Sequence, residues 1–418
     1  MATPLSYFMT DRFDVVIAGA GPAGAQCARD VAARDYDVLV LETEPEDEFP
    51  RQSNKSTAGT FPTTMSAFGI PDEVVMNFTD KVVLESPNNH FVRDQAGAVL
   101  EFADFKRWLV AEGRAAGAEY RFDARATAPI TEGEQAVGVR YNGDEEVYAD
   151  VVIDATGPSA PLASEMAVTD LQRERQAIGI EYEFEDVDID HADYADLTDA
   201  MMLRLDHDLA PGGYSWIFHT GEDTAKVGLC YIQNDHHRRY ARSDTTIDDY
   251  LDEWVASDPR LQGATKLASK QHRGSAHIQQ PGSLSTGGFM AIGDTVPTVD
   301  PLWGEGIDKC MRSGRAAATT VDGALTPSTP DTSAEQMATY DSLWHDQVAP
   351  KAKTRLLMTE LLYLAPNERY DQLMADLRSV GENTLARAND GDKRAISKLL
   401  HLSDLPLLAT FARKRLLG

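Results

Sequence analysis

Gly19-Ala20-Gly21-Pro22-Ala23-Gly24 has the spacing at which a backbone loop can hold a pyrophosphate. In such a loop the first glycine makes the tight turn and the second admits the phosphates. The third, Gly24, lets the following helix pack closely on its strand. Glu42 lies 18 residues after Gly24, where a carboxylate can meet the hydroxyls of an adenosine ribose. Far along the chain, the apolar run Phe289–Ile292 enters Gly293-Asp294, and a turn-rich loop then delivers Pro301-Leu302-Trp303-Gly304-Glu305-Gly306 to a helix. Asp294 can accept hydrogen bonds from polyol hydroxyls, and Gly304 and Gly306 let the backbone approach a ring. The helix start offers N–H groups and a partial positive charge where a reduced flavin becomes anionic. These two segments therefore point to flavin chemistry. A third group, Tyr214, Trp216 and Phe218, has the i, i+2, i+4 spacing that puts three rings on one face of a strand.

The elements that must position these residues follow from periodicity. Residues 14–18 (DVVIA) and 37–41 (DVLVL) read as buried strands around a helix reaching about Arg34, a βαβ opening. Residues 103–117 read as a helix with Phe105, Trp108 and Leu109 on one face. Strands are expected near 119–127 and 137–141, and the 147–155 strand leads into Thr156-Gly157. Alternating patterns such as IGIEYEFEDVDID (178–190) and AKVGLCYI (225–232) predict a mainly antiparallel sheet with a heavily acidic exposed face. The expected fold is α/β. Residues 1–70, 95–164 and 286–326 form a discontinuous Rossmann-like nucleotide-binding domain. Residues 71–94 and 165–285 form an inserted antiparallel-sheet substrate domain, and 327–418 a helical C-terminal region.

Composition narrows the partners. The chain has 418 residues, with 39 basic against 67 acidic side chains and a net charge of −28, so a nucleic-acid backbone is excluded as a partner. Arginine outnumbers lysine by more than two to one and the acids are spread along the whole chain, a pattern resembling proteins of salt-loving archaea. Cys27, Cys230 and Cys310 show no metal-ligand spacing, which fits a reducing cytoplasm, and His236-His237 is expected in a solvated turn rather than at a metal. No apolar run reaches the ~18–20 residues of a membrane span. The first residues have too short an apolar run for a signal peptide and lack its basic lead. The basic, Leu-rich segment 393–418 fits either peripheral contact with the inner membrane surface or a packed terminal helix.

Residues 150–157 (DVVIDATG), between GAGPAG and AIGD, match the order of motifs in FAD proteins that resemble p-hydroxybenzoate hydroxylase. Over about residues 12–320 the chain resembles more closely the geranylgeranyl reductase family, which includes archaeal digeranylgeranylglycerophospholipid reductases. Residues 14–28, 211–221 (PGGYSWIFHTG) and 291–314 carry the likeness. The resemblance implies FAD held by Gly19, Gly21, Ala23, Gly24, Glu42, Ala126, Gly157, Asp294, Gly304, Gly306 and Ile307. It implies an isoprenoid or lipid substrate against Tyr214, Trp216, Phe218 and Trp303, whose carbon–carbon double bonds are reduced. Two departures stand out. Ser56, in Lys55-Ser56-Thr57-Ala58-Gly59, replaces a family cysteine near the flavin, and Phe102 replaces an arginine whose charge Arg51 or Lys55 would supply. No proton donor is identifiable. The electron donor is NAD(P)H, bound transiently for want of a second GxGxxG, or a ferredoxin. The competing readings are an FAD monooxygenase or halogenase and a flavin binder without catalysis.

Overall fold

The structure is a computed structural model that describes residues 11–51, 56–389 and 391–417. Its first sheet has a parallel heart in the order Phe289–Ala291, Glu145–Asp154, Arg12–Ala18, Val38–Leu41, Glu119–Arg121. Val16 sits between Leu39 and Val152 in register, and all three are fully buried. Continuous apolar runs form these strands because both faces are covered. Strands Ala126–Glu132 and Gln135–Tyr141 extend the sheet as an antiparallel hairpin.

Helices Pro22–Ala32 and Ile307–Leu325 lie side by side on this sheet, at backbone distance. A Cβ at Gly314 would stand 2.4 Å from the Ala23 carbonyl oxygen, and one at Gly293 would stand 2.6 Å from the Ala23 methyl. Small residues thus dock the two halves of the domain, nearly three hundred positions apart in sequence, against each other.

The second sheet runs Thr265–His277, Gln176–Glu185, Thr224–Ile232, Gly213–Gly221, Ala200–Arg204, Val75–Ser86, Asn89–Leu100, Gly59–Thr60. It is antiparallel except where Ala200–Arg204 runs parallel to Val75–Ser86. The Asn89–Leu100 strand continues through residue 95, and Gly59–Thr60 joins this sheet rather than the first, so the two layers exchange chain more intimately than the expected boundaries imply. One face carries Ile180, Tyr182, Phe184, Val227 and Leu229 into a core with Tyr250 and Trp254. The opposite face was expected to be acidic and exposed, but Glu181 and Glu183 are only 3% and 5% exposed. The nucleotide-binding layer roofs that face.

His236 is buried at the start of helix Asp235–Tyr240, and the ring of His237 stacks on Tyr231 with centroids 4.0 Å apart. The pair is thus packed structure rather than a solvated turn. Helices fill the chain beyond Ala334, ending in Leu405–Leu417.

Candidate functional site

A cavity of about 1240 Å³ lies between the two sheets and is walled by both. At one end, strand Arg12–Ala18 stops at Gly19 (φ +104), whose missing side chain leaves room for the Ala155 carbonyl; a Cβ would stand 2.5 Å from it. Glu42 caps the loop from the neighbouring strand end. Its carboxylate accepts from the backbone N–H groups of Ala20 (2.9 Å) and Glu44 (3.0 Å) while also lining the cavity. Gly21, Ala23, Ala126 and Gly157 line the same end. Gly24 stands behind them, in contact with Gly19.

The Thr156-Gly157 turn is closed from below by Asp154, which is buried and accepts from the Thr156 N–H (3.0 Å) and hydroxyl (2.6 Å) and from the Ala163 N–H (2.8 Å). The Gly157 N–H donates to the Thr295 hydroxyl at 3.0 Å, so the early and late motifs are joined directly. Thr295 was invisible as a site residue because its role depends on that long-range contact.

Asp294 lines the cavity, and its one partner recorded among the described residues is the weak Cys310 thiol donor at 3.5 Å. Burial pushes its pKa up to about 6, against a lowering by the thiol hydrogen bond. Burial and the adjacent Asp294 push Cys310 well above the usual thiol range, which keeps it a donor. Gly304 (φ +67), Gly306 and Ile307 complete this wall, where helix Ile307–Leu325 begins. The Asp308 N–H donates to Glu305 at 2.7 Å. Burial and then Asp308 raise Glu305 to about 7.

Whether these residues fit a flavin dinucleotide can be tested on the chain itself. A Cβ added to Gly21 would have no atom of the protein within 4 Å. Its backbone (φ −70, ψ 178) is open to any residue. The glycine therefore matters only if something else occupies that space. Asp294 offers carboxylate oxygens that the protein leaves to one weak donor. A pyrophosphate at Gly21 and a polyol at Asp294 satisfy both observations.

The departures resolve unevenly. Ser56 lines the cavity, its hydroxyl accepting from the Ala58 N–H at 3.1 Å, and Phe102 lines it too. Arg51 is instead solvent-exposed, 3.8 Å from Glu48, and Lys55 lies outside the described residues. Among the basic residues that line the cavity, Lys106 stands one helical turn after Phe102, 2% exposed and 4.6 Å from the centroid of the Phe49 ring.

The other end is the inward face of the second sheet. Tyr214 and Trp216 line it with ring centroids 5.8 Å apart. The Tyr214 hydroxyl reaches the Trp303 carbonyl at 3.4 Å, and a Cβ at Gly304 would stand 1.9 Å from it. Phe218 and Trp303 themselves are not in the cavity wall. Phe218 turns onto Gly59 and Met201, where the Gly59–Thr60 strand closes the sheet, and Trp303 contributes its backbone. Glu181 and His272 line the wall beside Trp216, and strand alternation alone carries no sign that they face inward.

A family model for the geranylgeranyl reductase catalytic domain matches residues 177–269, and one for lycopene cyclase protein matches 14–217. The chain is 70% identical to the digeranylgeranylglycerophospholipid reductase of Haloferax volcanii, over 97% of this chain and 99% of that one. Among solved structures, a geranylgeranyl bacteriochlorophyll reductase-like protein from Thermoplasma acidophilum superposes with a TM-score of 0.82 at 22% identity, covering 96% and 99% of the two chains. A flavin-dependent brominase superposes with a TM-score of 0.69 at 20% identity, covering 88% and 92%, and shares the fold.

Proposed function

The chain belongs to the digeranylgeranylglycerophospholipid reductase family, and on that premise we propose how its cavity serves an FAD-dependent reduction of carbon–carbon double bonds in the geranylgeranyl chains of archaeal membrane lipid. The observation that carries the reading is the continuity of one cavity from the nucleotide loop to the Tyr214–Trp216 face. Bound and reduced, FAD supplies a hydride at its ring. Gly19, Gly21, Ala23, Gly24 and Glu42 hold the adenosine diphosphate half, with Ala126 and Gly157 beside it. Asp294 accepts from the ribityl chain, and the backbone at Gly304, Gly306 and Ile307 favours negative charge on the pyrimidine edge. Lys106 supplies the positive charge that Phe102 lacks. Tyr214 and Trp216 lay the isoprenoid chain along the sheet and exclude water, because an isolated alkene reacts only when held close and dry.

The test is direct. The protein, reduced with dithionite without oxygen in concentrated KCl, should reoxidise when given a digeranylgeranylglycerophospholipid, and each reduced bond should add two hydrogens to the lipid mass. A lipid of unchanged mass overturns the reading. Consumption of oxygen with an aromatic substrate would favour the halogenase-like alternative. Supplying NAD(P)H or a reduced ferredoxin in place of dithionite identifies the donor.

Asp294→Asn should weaken FAD binding at least ~10-fold at neutral pH, measured by fluorescence titration. Wild-type affinity should itself decline below about pH 6, as Asp294 becomes protonated and loses acceptor capacity, whereas the variant should show no such decline. The stability effect runs the other way. In the flavin-free protein the folded pKa of about 6 exceeds the ordinary 3.8, so Asp294 favours the fold below the lower value and loses that contribution as pH rises through 6. The flavin-free variant should therefore melt higher than wild type above pH 6. Lys106→Met should also cost ~10-fold in FAD affinity.

Among the described residues no helix is long and apolar enough to cross a membrane. Leu402 and Leu405 are 86% and 59% exposed, and Lys393, Arg394, Lys398 and Arg413, within about ten residues of them in sequence, are exposed as well. This end of the molecule rests on an anionic lipid surface in our reading. Co-flotation with anionic but not with zwitterionic vesicles is expected, and equal behaviour with both removes the idea.

A further inference from the structure

Saturating an alkene requires a proton at one carbon as well as a hydride at the other, and the residues assigned so far supply no acid. On the aromatic side of the cavity, burial pushes Tyr214 and Tyr363 well above the usual phenol range and Cys230 up to about 12, so these groups keep their protons. Arg273 is paired with Asp248. Glu305 caps its helix and is not in the wall.

Glu181 differs from all of these. It lines the cavity, is 3% exposed, and its Oε2 accepts the indole N–H of Trp216 at 2.8 Å. Its Oε1 is buried and has no hydrogen-bond partner among the described residues. An indole N–H only donates, so Oε2 must act as acceptor, and a proton carried by this carboxyl belongs on Oε1. The indole reaches Glu181 by crossing the intervening strand at Gly228, where a Cβ would stand 2.3 Å from Trp216 Cζ2. Two glutamates share this inward face, and their surroundings separate them. Glu183 has Lys270 at 3.8 Å, His272 at 3.4 Å and Lys226 opposite it in register. Lys270 also pairs with Glu101 at 2.7 Å, and Lys226 donates to the carbonyls of Thr57 and Leu100. Glu181 has no cation within ion-pair distance among the described residues. It faces Gly228 on one side and His272 on the other in register.

We propose that Glu181 is the catalytic proton donor of the reduction and that Trp216 is the residue that positions its proton. The assignment rests on the reductase reading above. The Oε1–H bond breaks as the alkene π pair forms a C–H bond at one carbon, and the other carbon takes the hydride. Glu181 is left as a carboxylate and regains a proton from solvent. The Trp216 ring face, beside Tyr214, favours the positive charge that grows on the alkene as the proton arrives.

The test uses the FAD-loaded protein, reduced anaerobically and mixed with digeranylgeranylglycerophospholipid, with flavin reoxidation followed in a single turnover. Glu181→Gln should slow that step by ~10²–10⁴-fold. Its FAD content and its affinity for the saturated lipid, read from the perturbed absorbance of the oxidised flavin, should stay within about threefold of wild type. Glu181→Asp should recover part of the rate. Trp216→Phe removes the donor that orients the carboxyl, so it should slow the same step ~10-fold or more while leaving saturated-lipid affinity within about threefold of wild type. A Gln variant reoxidising within threefold of wild type overturns the proposal, as does an equal loss of saturated-lipid affinity. Should the Gln variant lose its FAD, Glu181→Asp decides alone: an unchanged rate overturns the proposal, and a slowed rate with retained lipid affinity supports it. An unslowed step in Trp216→Phe, or a rate loss matched by an equal loss of saturated-lipid affinity, overturns the positioning role. A wild-type protein that the lipid does not reoxidise overturns the reductase reading, and this assignment with it.

Discussion

Arg260→Ala is expected to lower the unfolding free energy by about 3–5 kcal/mol, measured by urea unfolding in concentrated KCl. Arg260 is 1% exposed and forks onto Glu85 through Nη1 (2.8 Å) and Nη2 (3.1 Å). It grips Asp258 through Nε (3.0 Å) and Nη2 (2.9 Å), and its guanidinium lies 4.2 Å from the centroid of the Tyr194 ring. Removing it strands two buried carboxylates, with Arg204, 3.8 Å from Glu85, as a remote substitute. Lysine at this position should recover only part of the loss, because an ammonium cannot form the double fork. Burial alone would raise the pKa of Asp258, but the hydrogen bonds and charge of Arg260 outweigh it and the net shift is downward. The contribution is therefore complete above the ordinary carboxylate range and lost as acid titrates Asp258 through its lowered value. A loss below 1 kcal/mol would mean that the cluster relaxes into water.

The second large effect separates two glycines three residues apart. Gly24→Ala places a Cβ 2.0 Å from the Gly19 carbonyl oxygen and 3.0 Å from the Ala155 methyl. Helix and loop must part, which costs about 1–3 kcal/mol of stability and displaces the helix N-terminus at the proposed pyrophosphate site. Gly21→Ala meets no protein atom within 4 Å and fits its extended backbone. It should leave the melting temperature of the flavin-free protein within a degree or so, yet abolish stoichiometric FAD after purification, since the only collision is with the ligand. Retained flavin in Gly21→Ala would place the pyrophosphate elsewhere.

The contrast also shows what a sequence can reveal of such a site. Backbone demands are written into residue identity: only glycine satisfies Gly19, Gly24 and Gly304, so the loop and the clamp were legible, and the parallel sheet followed from its unbroken apolar runs. Alternation carries less. The pattern IEYEFE is the same whether its acidic face meets water or another layer of protein, so Glu181 and Glu183 read as surface. Parity correctly put Tyr214, Trp216 and Phe218 on one face, but where the cavity ends along that face depends on the Gly59–Thr60 strand. Lys106 shows no signal in sequence, because a lysine one turn along an amphipathic helix reads as exposed unless a second layer covers it, and here it is buried against the cavity.

The packing of Gly314 and Gly293 against Ala23 has a bearing on how the protein is made. The first 150 residues can emerge from the ribosome and pair their strands, but they lack Asp294, the clamp and the helix that buttresses the nucleotide loop. Until residue 314 has left the exit tunnel, the chain offers FAD half a socket. Cofactor capture is thus set late in synthesis, after the strands of the second sheet have been made.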